Sequence, residues 1–407
     1  MSKSLLSGIP ETAIFLDFWP VFVKTYCVKE LSARRLGRIP PYLFADLDRL
    51  KAQTAGDIID FGIGDPDQPT PQPIVQAMNR ALADPARHHY PAYEGMLSAR
   101  KAAAGWYRKR FDVRLDPETE VCMLLGSKEG IGHLIWALAG PGDVVAVPDP
   151  GYMIYPHQTI FAGARPVMLA LRAENDFLAD FAEIRSWSGI KLMILNYPSN
   201  PTTGVATRAF YREAVRLAFK HDFYLINDNV YSELYYESPP PSLLEIPRAR
   251  ERCVEFHSLS KTYNMAGWRI GYVVGNRRMI KALLTIKQNT DSGPFEAIQE
   301  AACFALRHGE RIAAANRKLY RERRDVLWQG LTSLGWDARK PPATFYVWAR
   351  IPSGNDSYGY TKRLLREHQI VVTPGVGMGR AGEGYVRFAL TVPVARIREA
   401  LGRLHRE

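Results

Sequence analysis

The sequence predicts an α/β protein, with a mainly parallel central sheet covered by helices on both faces and a smaller α+β domain beside it. Three observations predict this. Between residues 143 and 274, short apolar runs alternate with amphipathic stretches. Those runs are apolar almost throughout rather than at every second residue, which is the pattern of strands buried on both faces. After Gly293 the chain turns to long basic amphipathic stretches and then to short strand-like runs. With 407 residues it is also too long for one compact core. The expected division is an extension over 1–35, a large domain over 65–305, and a small domain built from 36–64 with 306–407.

Residues 41–51 place apolar side chains at helical spacing. The run Ile58 to Asp67 reads as a short strand entering a Gly/Pro turn. It lacks the third glycine of a dinucleotide-binding loop, and Pro66 and Pro69 forbid an immediate helix. A helix is predicted over 73–83, an aromatic loop over 89–95, and a long helix over 97–111. A strand over 120–125 leads through Gly126-Ser127-Lys128-Glu129-Gly130 into a helix over 131–139. Strands follow at 144–148, 165–169, 192–196, 224–228, 254–257 and 270–274, with helices near 155–161, 179–186 and 208–221. The tail reads as helices through 334, strands at 345–349, 370–373 and 385–389, and a last helix over 394–405.

Hydrophobic residues make up 46% of the chain and charged residues 23%, ordinary values for a soluble enzyme. The net charge of +11 is spread along helical stretches rather than gathered in a basic arm, which argues against nucleic acid as a partner. The four cysteines are far apart, so neither a zinc site nor a disulfide framework is indicated, and no metal is expected. Residues 13–23 are hydrophobic but contain Asp17 and Pro20. They are too short to span a bilayer and lack a signal-cleavage pattern, so no membrane partner is expected and the cytoplasm is the default location.

In open α/β sheets ligands sit at the carboxyl ends of strands, and the chemistry-bearing residues fall there. Lys261 follows the strand ending near His257 and sits in a loop with Ser258 and Arg269 close in sequence. Burial and a neighbouring cation both favour its neutral amine, a nucleophile toward carbonyls. Ser258 and Arg269 are the donors one would place around a phosphate. Ser-x-x-Lys also opens the penicillin-binding acyl-enzyme signature, but the Ser-Asp-Asn and Lys-Thr-Gly tripeptides that go with it are missing. An aldehyde and a phosphate on one ligand describe pyridoxal 5'-phosphate (PLP). Gly126-Ser127 precedes a helix and offers free N–H groups to an anion. Asp228 ends an apolar strand, where a carboxylate needs a cation or a donor; a protonated pyridine nitrogen suits it. Tyr231 and Asn200 are placed to donate to a ring oxygen. Tyr152, in Asp149-Pro150-Gly151-Tyr152, suits stacking on the ring. Arg387, between Val386 and Phe388, suits a substrate carboxylate.

Together these motifs resemble the fold-type I PLP-dependent aminotransferases of class I/II, and within them the branch that includes the LL-diaminopimelate aminotransferases. They run in order from about Arg38 to the end: Gly-Ile-Gly-Asp-Pro-Asp, Tyr-Pro-Ala-Tyr-Glu-Gly, Gly-Ser-Lys-Glu-Gly, Asp-Pro-Gly-Tyr, Asn-Tyr-Pro-Ser-Asn-Pro-Thr, Asp-Asn-Val-Tyr-Ser-Glu-Leu-Tyr, Ser-Leu-Ser-Lys-Thr-Tyr-Asn-Met-Ala-Gly-Trp-Arg and Tyr-Val-Arg-Phe-Ala-Leu.

The resemblance implies that Lys261 carries the cofactor as a Schiff base and shuttles the proton, and that Asp228 pairs with the pyridine nitrogen. Asn200 and Tyr231 bond the ring oxygen, and Tyr152 stacks on the ring. Ser127, Lys128, Ser258 and Arg269 hold the phosphate, and Tyr93 reaches the phosphate of the neighbouring subunit in a homodimer with shared active sites. Arg387, Asn200 and the Gly64 backbone grip the substrate carboxylate, and Tyr42 lines the pocket. The substrates are an amino acid and a 2-oxo acid. One departure falls in Asp291-Ser292-Gly293-Pro294-Phe295-Glu296, where Glu296 stands in place of the family's asparagine. It reads either as the partner of a distal ammonium or as the mark of another amino acid. A PLP-dependent C–S β-lyase shares the same cofactor site. A non-catalytic PLP-binding regulator needs a DNA-binding domain that about forty preceding residues cannot supply.

Overall fold

The computed structural model describes residues 32–40, 43–352, 354 and 356–405. The chain divides into two compact units, Met1–Pro40 and Pro41–Glu407. The described part of the first contains a 3-10 turn, Arg34–Arg38. Tyr42 and residues 1–31 of the expected extension lie outside the described residues.

The second unit runs α1 (Leu43–Gln53), β1 (Ile59–Asp60), α2 (Gln72–Leu82), α3 (Leu97–Phe111), β2 (Val121–Leu124), α4 (Ser127–Leu138), β3 (Val144–Asp149), α5 (Ile154–Phe161) and β4 (Arg165–Ala170). It continues with β5 (Ile190–Leu195), α6 (Arg208–Lys220), β6 (Tyr224–Asp228), β7 (Cys253–Ser258), α7 (Leu259–Thr262), β8 (Gly271–Gly275), α8 (Arg277–Thr290), α9 (Glu296–His308) and α10 (Glu310–Ser333). The remainder is β9 (Tyr346–Arg350), α11 (Ser357–His368), β10 (Ile370–Val371), β11 (Thr373–Pro374), β12 (Tyr385–Ala389) and α12 (Val394–Leu404).

A seven-stranded sheet of order β2-β8-β7-β6-β5-β3-β4 forms the centre. Its strands pair in parallel from β4 to β7, and β8 runs antiparallel to both β7 and β2. The apolar runs follow from this arrangement. On β5, Leu192 and Ile194 enter the core shared with α4, α5 and α8, while Met193 and Leu195 enter the core shared with α3, α6 and α9. Side chains alternate faces along a strand, so a strand covered on both faces must be apolar at every position. Each such side chain contributes about 2 kcal/mol through burial. A third core gathers β1, β9, β12, α10, α11 and α12 around Phe345, Val347 and Phe388, with sheets β11-β12-β9 and β1-β10.

The predicted helix over 179–186 is only a 3-10 turn, Phe181–Glu183. Trp187 stacks on His221 at 4.4 Å, which draws the chain off toward β5 instead. Lys261 lies not in an open loop but in the single helical turn α7, whose N-cap is Ser258. The helix after Gly126 begins at Ser127, four residues earlier than its apolar pattern suggests. Helices α8 and α11 are additional to those predicted. α8 is nucleated by Asn276, whose side chain accepts from the backbone of Arg278 and Met279. No helix among the described residues is long and apolar enough to cross a membrane.

Candidate active site

The carboxyl ends of β2, β3, β5, β6 and β7 share one rim of the large sheet, and the reversal of β8 brings its first residues to that rim as well. Ser258 pairs with Gly271, so Arg269, just before β8, stands beside the end of β7. Lys261 Nζ donates to the Gly64 carbonyl at 3.0 Å and lies 5.5 Å from the centre of the Phe345 ring. Burial pushes its amine down to about 8; Asp65 opposes the shift, and Arg387 and Arg269 add to it. About a tenth of Lys261 is therefore neutral at pH 7, far more than for an ordinary lysine, and the neutral form is the one a nucleophilic amine requires.

Asp228 closes β6 and is only 4% exposed. Tyr155 donates to its Oδ2 at 2.7 Å, while its Oδ1 is buried without a hydrogen-bond partner. Burial lifts the carboxyl to about 6, against the pull of the Tyr155 hydroxyl and the Val230 amide. An orphaned carboxylate oxygen in a dry site is costly unless a donor or cation meets it. The protonated nitrogen of a pyridine ring fits that need, and so the residues fit PLP. Asn196 ties two strand ends together: its Nδ2 donates to the Asp228 carbonyl at 2.8 Å, and its Oδ1 accepts from the Asn200 amide at 2.9 Å.

Arg387, on β12, is buried and spreads its guanidinium over three acceptors. Nη1 donates to Asn200 Oδ1 at 2.7 Å, and Nη2 donates to the Gly62 carbonyl and to Thr373 Oγ1, each at 3.1 Å. Its Nε is buried without a partner. With Asn200 Oδ1 engaged, the Asn200 Nδ2 hydrogens remain for a ligand. Tyr231 OH lies 2.9 Å from Tyr346 OH.

The expected phosphate cup comes together at the start of α4. Gly126 adopts φ +86°, and a Cβ there would overlap the Arg269 guanidinium. Arg269, itself at φ 53°, donates to the carbonyls of Ala266 at 2.9 Å and Leu125 at 3.4 Å. Ser258 Oγ accepts from the Ser260 amide at 3.2 Å, which leaves its own hydrogen free to donate. Ser127 is the first residue of the twelve-residue α4. Lys128 is exposed and helps burial hold the His157 ring below its usual range. Tyr152 packs edge-on against Tyr155, with ring centres 5.8 Å apart.

Two expected residues stand apart from this group. Tyr93 is 40% exposed. Glu296, at the start of α9, pairs with Arg87 at 3.4 Å, and Arg87 also holds Glu300 at 3.1 Å. Sequence reasoning missed Tyr155, Asn196, Thr373 and Tyr346. Tyr155 had a local signal, three residues after Tyr152 and hence on the same side of a turn. Beside the cup, Glu129, His133 and Asp291 come within ligating distance of one another. The Lys287 ammonium fills that place, 3.0 Å from Glu129 and 2.9 Å from Asp291. Burial works against ionisation of Glu129, but His133 and Lys287 hold it low, while burial lifts Asp291.

Residues 56–404 match the family model described as aminotransferase class I and II. A curated LL-diaminopimelate aminotransferase of Nitratidesulfovibrio vulgaris is 48% identical over 379 residues, covering 91% of this chain and 98% of the relative. The enzyme of that name from Aquifex aeolicus is 46% identical over 376 residues, covering 91% and 97%. Among solved structures, substrate-bound BacF from Bacillus subtilis superposes with a TM-score of 0.89 at 35% identity, covering 93% of this chain and 98% of that one.

Proposed function

The chain belongs to the class I and II aminotransferases and is a PLP-dependent aminotransferase, and from that premise we propose that its amino donor or product is LL-diaminopimelate, exchanged against glutamate and 2-oxoglutarate. The likeness to curated LL-diaminopimelate aminotransferases along nine-tenths of the chain supports LL-diaminopimelate as that substrate. The observation that carries the cofactor assignment is the buried, unpartnered Oδ1 of Asp228, which ends β6 at the rim that also holds Lys261.

When bound, PLP supplies an aldehyde carbon and an electron-accepting ring. Lys261 would hold it through Nζ, and the same amine would carry the substrate proton. Asp228 keeps the ring nitrogen protonated, with Tyr155 fixing the carboxylate plane. Tyr231 and the free Asn200 Nδ2 would donate to the ring oxygen, and Tyr152 would supply an aromatic surface for the ring. Ser127, Lys128, Ser258 and Arg269 take the phosphate through hydroxyls, charge and the α4 N-terminus. Arg387 grips the substrate α-carboxylate, with Asn200 and the Gly64 backbone beside it. Glu296, held by Arg87 at 3.4 Å apart from these groups, would meet a distal ammonium only in the site of a second subunit; otherwise it marks another amino acid. Tyr93, exposed on its loop, completes the phosphate site of a second subunit, so the working form is a cytoplasmic homodimer. Its large domain spans 65–305, and its small domain joins 36–64 to 306–407.

A half-reaction screen tests this reading. LL-diaminopimelate, glutamate, aspartate, alanine and methionine are each mixed with the purified protein while the cofactor absorption is followed. Conversion to the aminated cofactor by LL-diaminopimelate and glutamate is the expected result. Conversion by another amino acid with none by LL-diaminopimelate overturns the substrate, and release of pyruvate and a thiol from added cystathionine without an oxo acid overturns the transfer.

A further inference from the structure

Tyr346 opens β9 and is 2% exposed. It touches three parts of the site at once. Its hydroxyl lies 2.9 Å from that of Tyr231. Its ring lies beneath the Arg387 guanidinium, 4.3 Å from Cζ to the ring centre. Gly64 packs so closely on its hydroxyl that a Cβ at position 64 would overlap it, and the Gly64 carbonyl is the acceptor for Lys261. The groups proposed for the ring oxygen, the substrate carboxylate and the reactive amine all rest on this one side chain.

Two hydroxyls at that separation share one hydrogen between them and leave the other for an outside acceptor. The polarity of the pair decides which. The Arg387 cation lies over the Tyr346 ring. Burial above all, then Tyr346 and Asp228, oppose loss of the Tyr231 hydrogen, while Arg387 works the other way. With Tyr346 as the donor, the Tyr231 hydrogen is left for the ligand. We propose that Tyr346 is a positioning residue for transamination: its hydroxyl turns the Tyr231 hydrogen toward the cofactor ring oxygen, and its ring holds the Arg387 plane for the substrate carboxylate. The inference rests on the roles of Tyr231 and Arg387 given above.

Two substitutions separate the two contributions. Tyr346→Phe keeps the ring and removes the hydroxyl; Tyr346→Leu removes both. Tyr231→Phe serves as the reference. The first readout is the pH midpoint of the visible absorption of the bound cofactor. A donor to the ring oxygen stabilises its anionic form, so weakening that donor moves the midpoint up, by roughly half a unit to one unit in Tyr346→Phe. In the same variant the KM for glutamate stays within about twofold, whereas Tyr346→Leu raises it by roughly three- to thirtyfold through loss of the cation–π contact. If Tyr346→Phe titrates within about 0.2 unit of the unsubstituted protein while Tyr231→Phe shifts, the inference fails and the site assignment stands. If Tyr231→Phe leaves the midpoint in place, both fail. A KM for glutamate that rises as far in Tyr346→Phe as in Tyr346→Leu also overturns the division of roles.

Discussion

Tyr155 donates its hydroxyl hydrogen to Asp228 Oδ2 across 2.7 Å, so one oxygen of this buried carboxylate is satisfied and the other is not. The consequence is a measurable pH dependence. Burial lifts Asp228 from 3.8 to about 6, so the folded cofactor-free protein holds a proton that the unfolded chain has already lost. The stability contributed by this group is therefore greatest below about pH 4 and is lost as pH rises through about 6, at most about 3 kcal/mol. Urea unfolding of the cofactor-free protein should show that loss, and Asp228→Asn should remove it. The same variant should lose turnover by at least about a hundredfold, because nothing then keeps the ring nitrogen charged. An Asn variant with the pH profile of the parent contradicts the assignment.

Lys261 makes a second prediction. Burial depresses its amine to about 8, and only the neutral form attacks an aldehyde. The rate at which cofactor-free protein takes up PLP, followed by stopped-flow absorbance, should rise about tenfold per pH unit below 8 and level off above it. An unshifted lysine would keep rising past pH 10. Lys261→Ala should fold and bind cofactor loosely yet show no turnover; a variant that transaminates at the parental rate refutes the role.

Arg387 reaches Asn200, Gly62 and Thr373 together, a geometry that a lysine ammonium cannot reproduce. Arg387→Lys should raise KM for every amino donor by roughly ten- to a hundredfold, the size of one or two charge-assisted bonds. It should leave the cofactor spectrum nearly unchanged. A fall in kcat at constant KM would mean that the guanidinium does not hold substrate.

Lys287 is fully buried between Glu129 and Asp291. Lys287→Met strands two carboxylates without a cation and should cost about 3–5 kcal/mol of stability by thermal or chemical unfolding. Adding Glu129→Gln and Asp291→Asn to that variant should recover part of it. A loss under about 1 kcal/mol would show that the pair is solvated in solution.

The strands were legible because burial on both faces leaves a strong local mark; β6 and β12 occupy the very residues the pattern predicts. The strand-end motifs were equally readable, since Asp228 and Ser258 are the last residues of β6 and β7 and Asn200 follows β5 within five residues. What escaped was placed by long-range packing. Tyr346 meets Tyr231 across 115 residues, and no local signal marks it as more than a core tyrosine. Helix α8 was obscured because Lys287, which reads as a surface residue, points inward to an ionic partner 158 positions away. The turn over 181–183 went wrong in the opposite direction. Its apolar spacing is helical, but the Trp187 stack on His221 outweighs so short a run.

The reversed strand β8 also bears on how the gene can change. Both ends of the 258–271 connection are pinned at one rim, with Lys261 and Arg269 between them, so added codons there would displace the reactive groups themselves. On the far rim, the turns at Gly142 and Gly189 lead into β3 and β5 and carry none of those groups. Length polymorphism, epitope tags and fused modules are therefore tolerated on the far side and selected against on the near one.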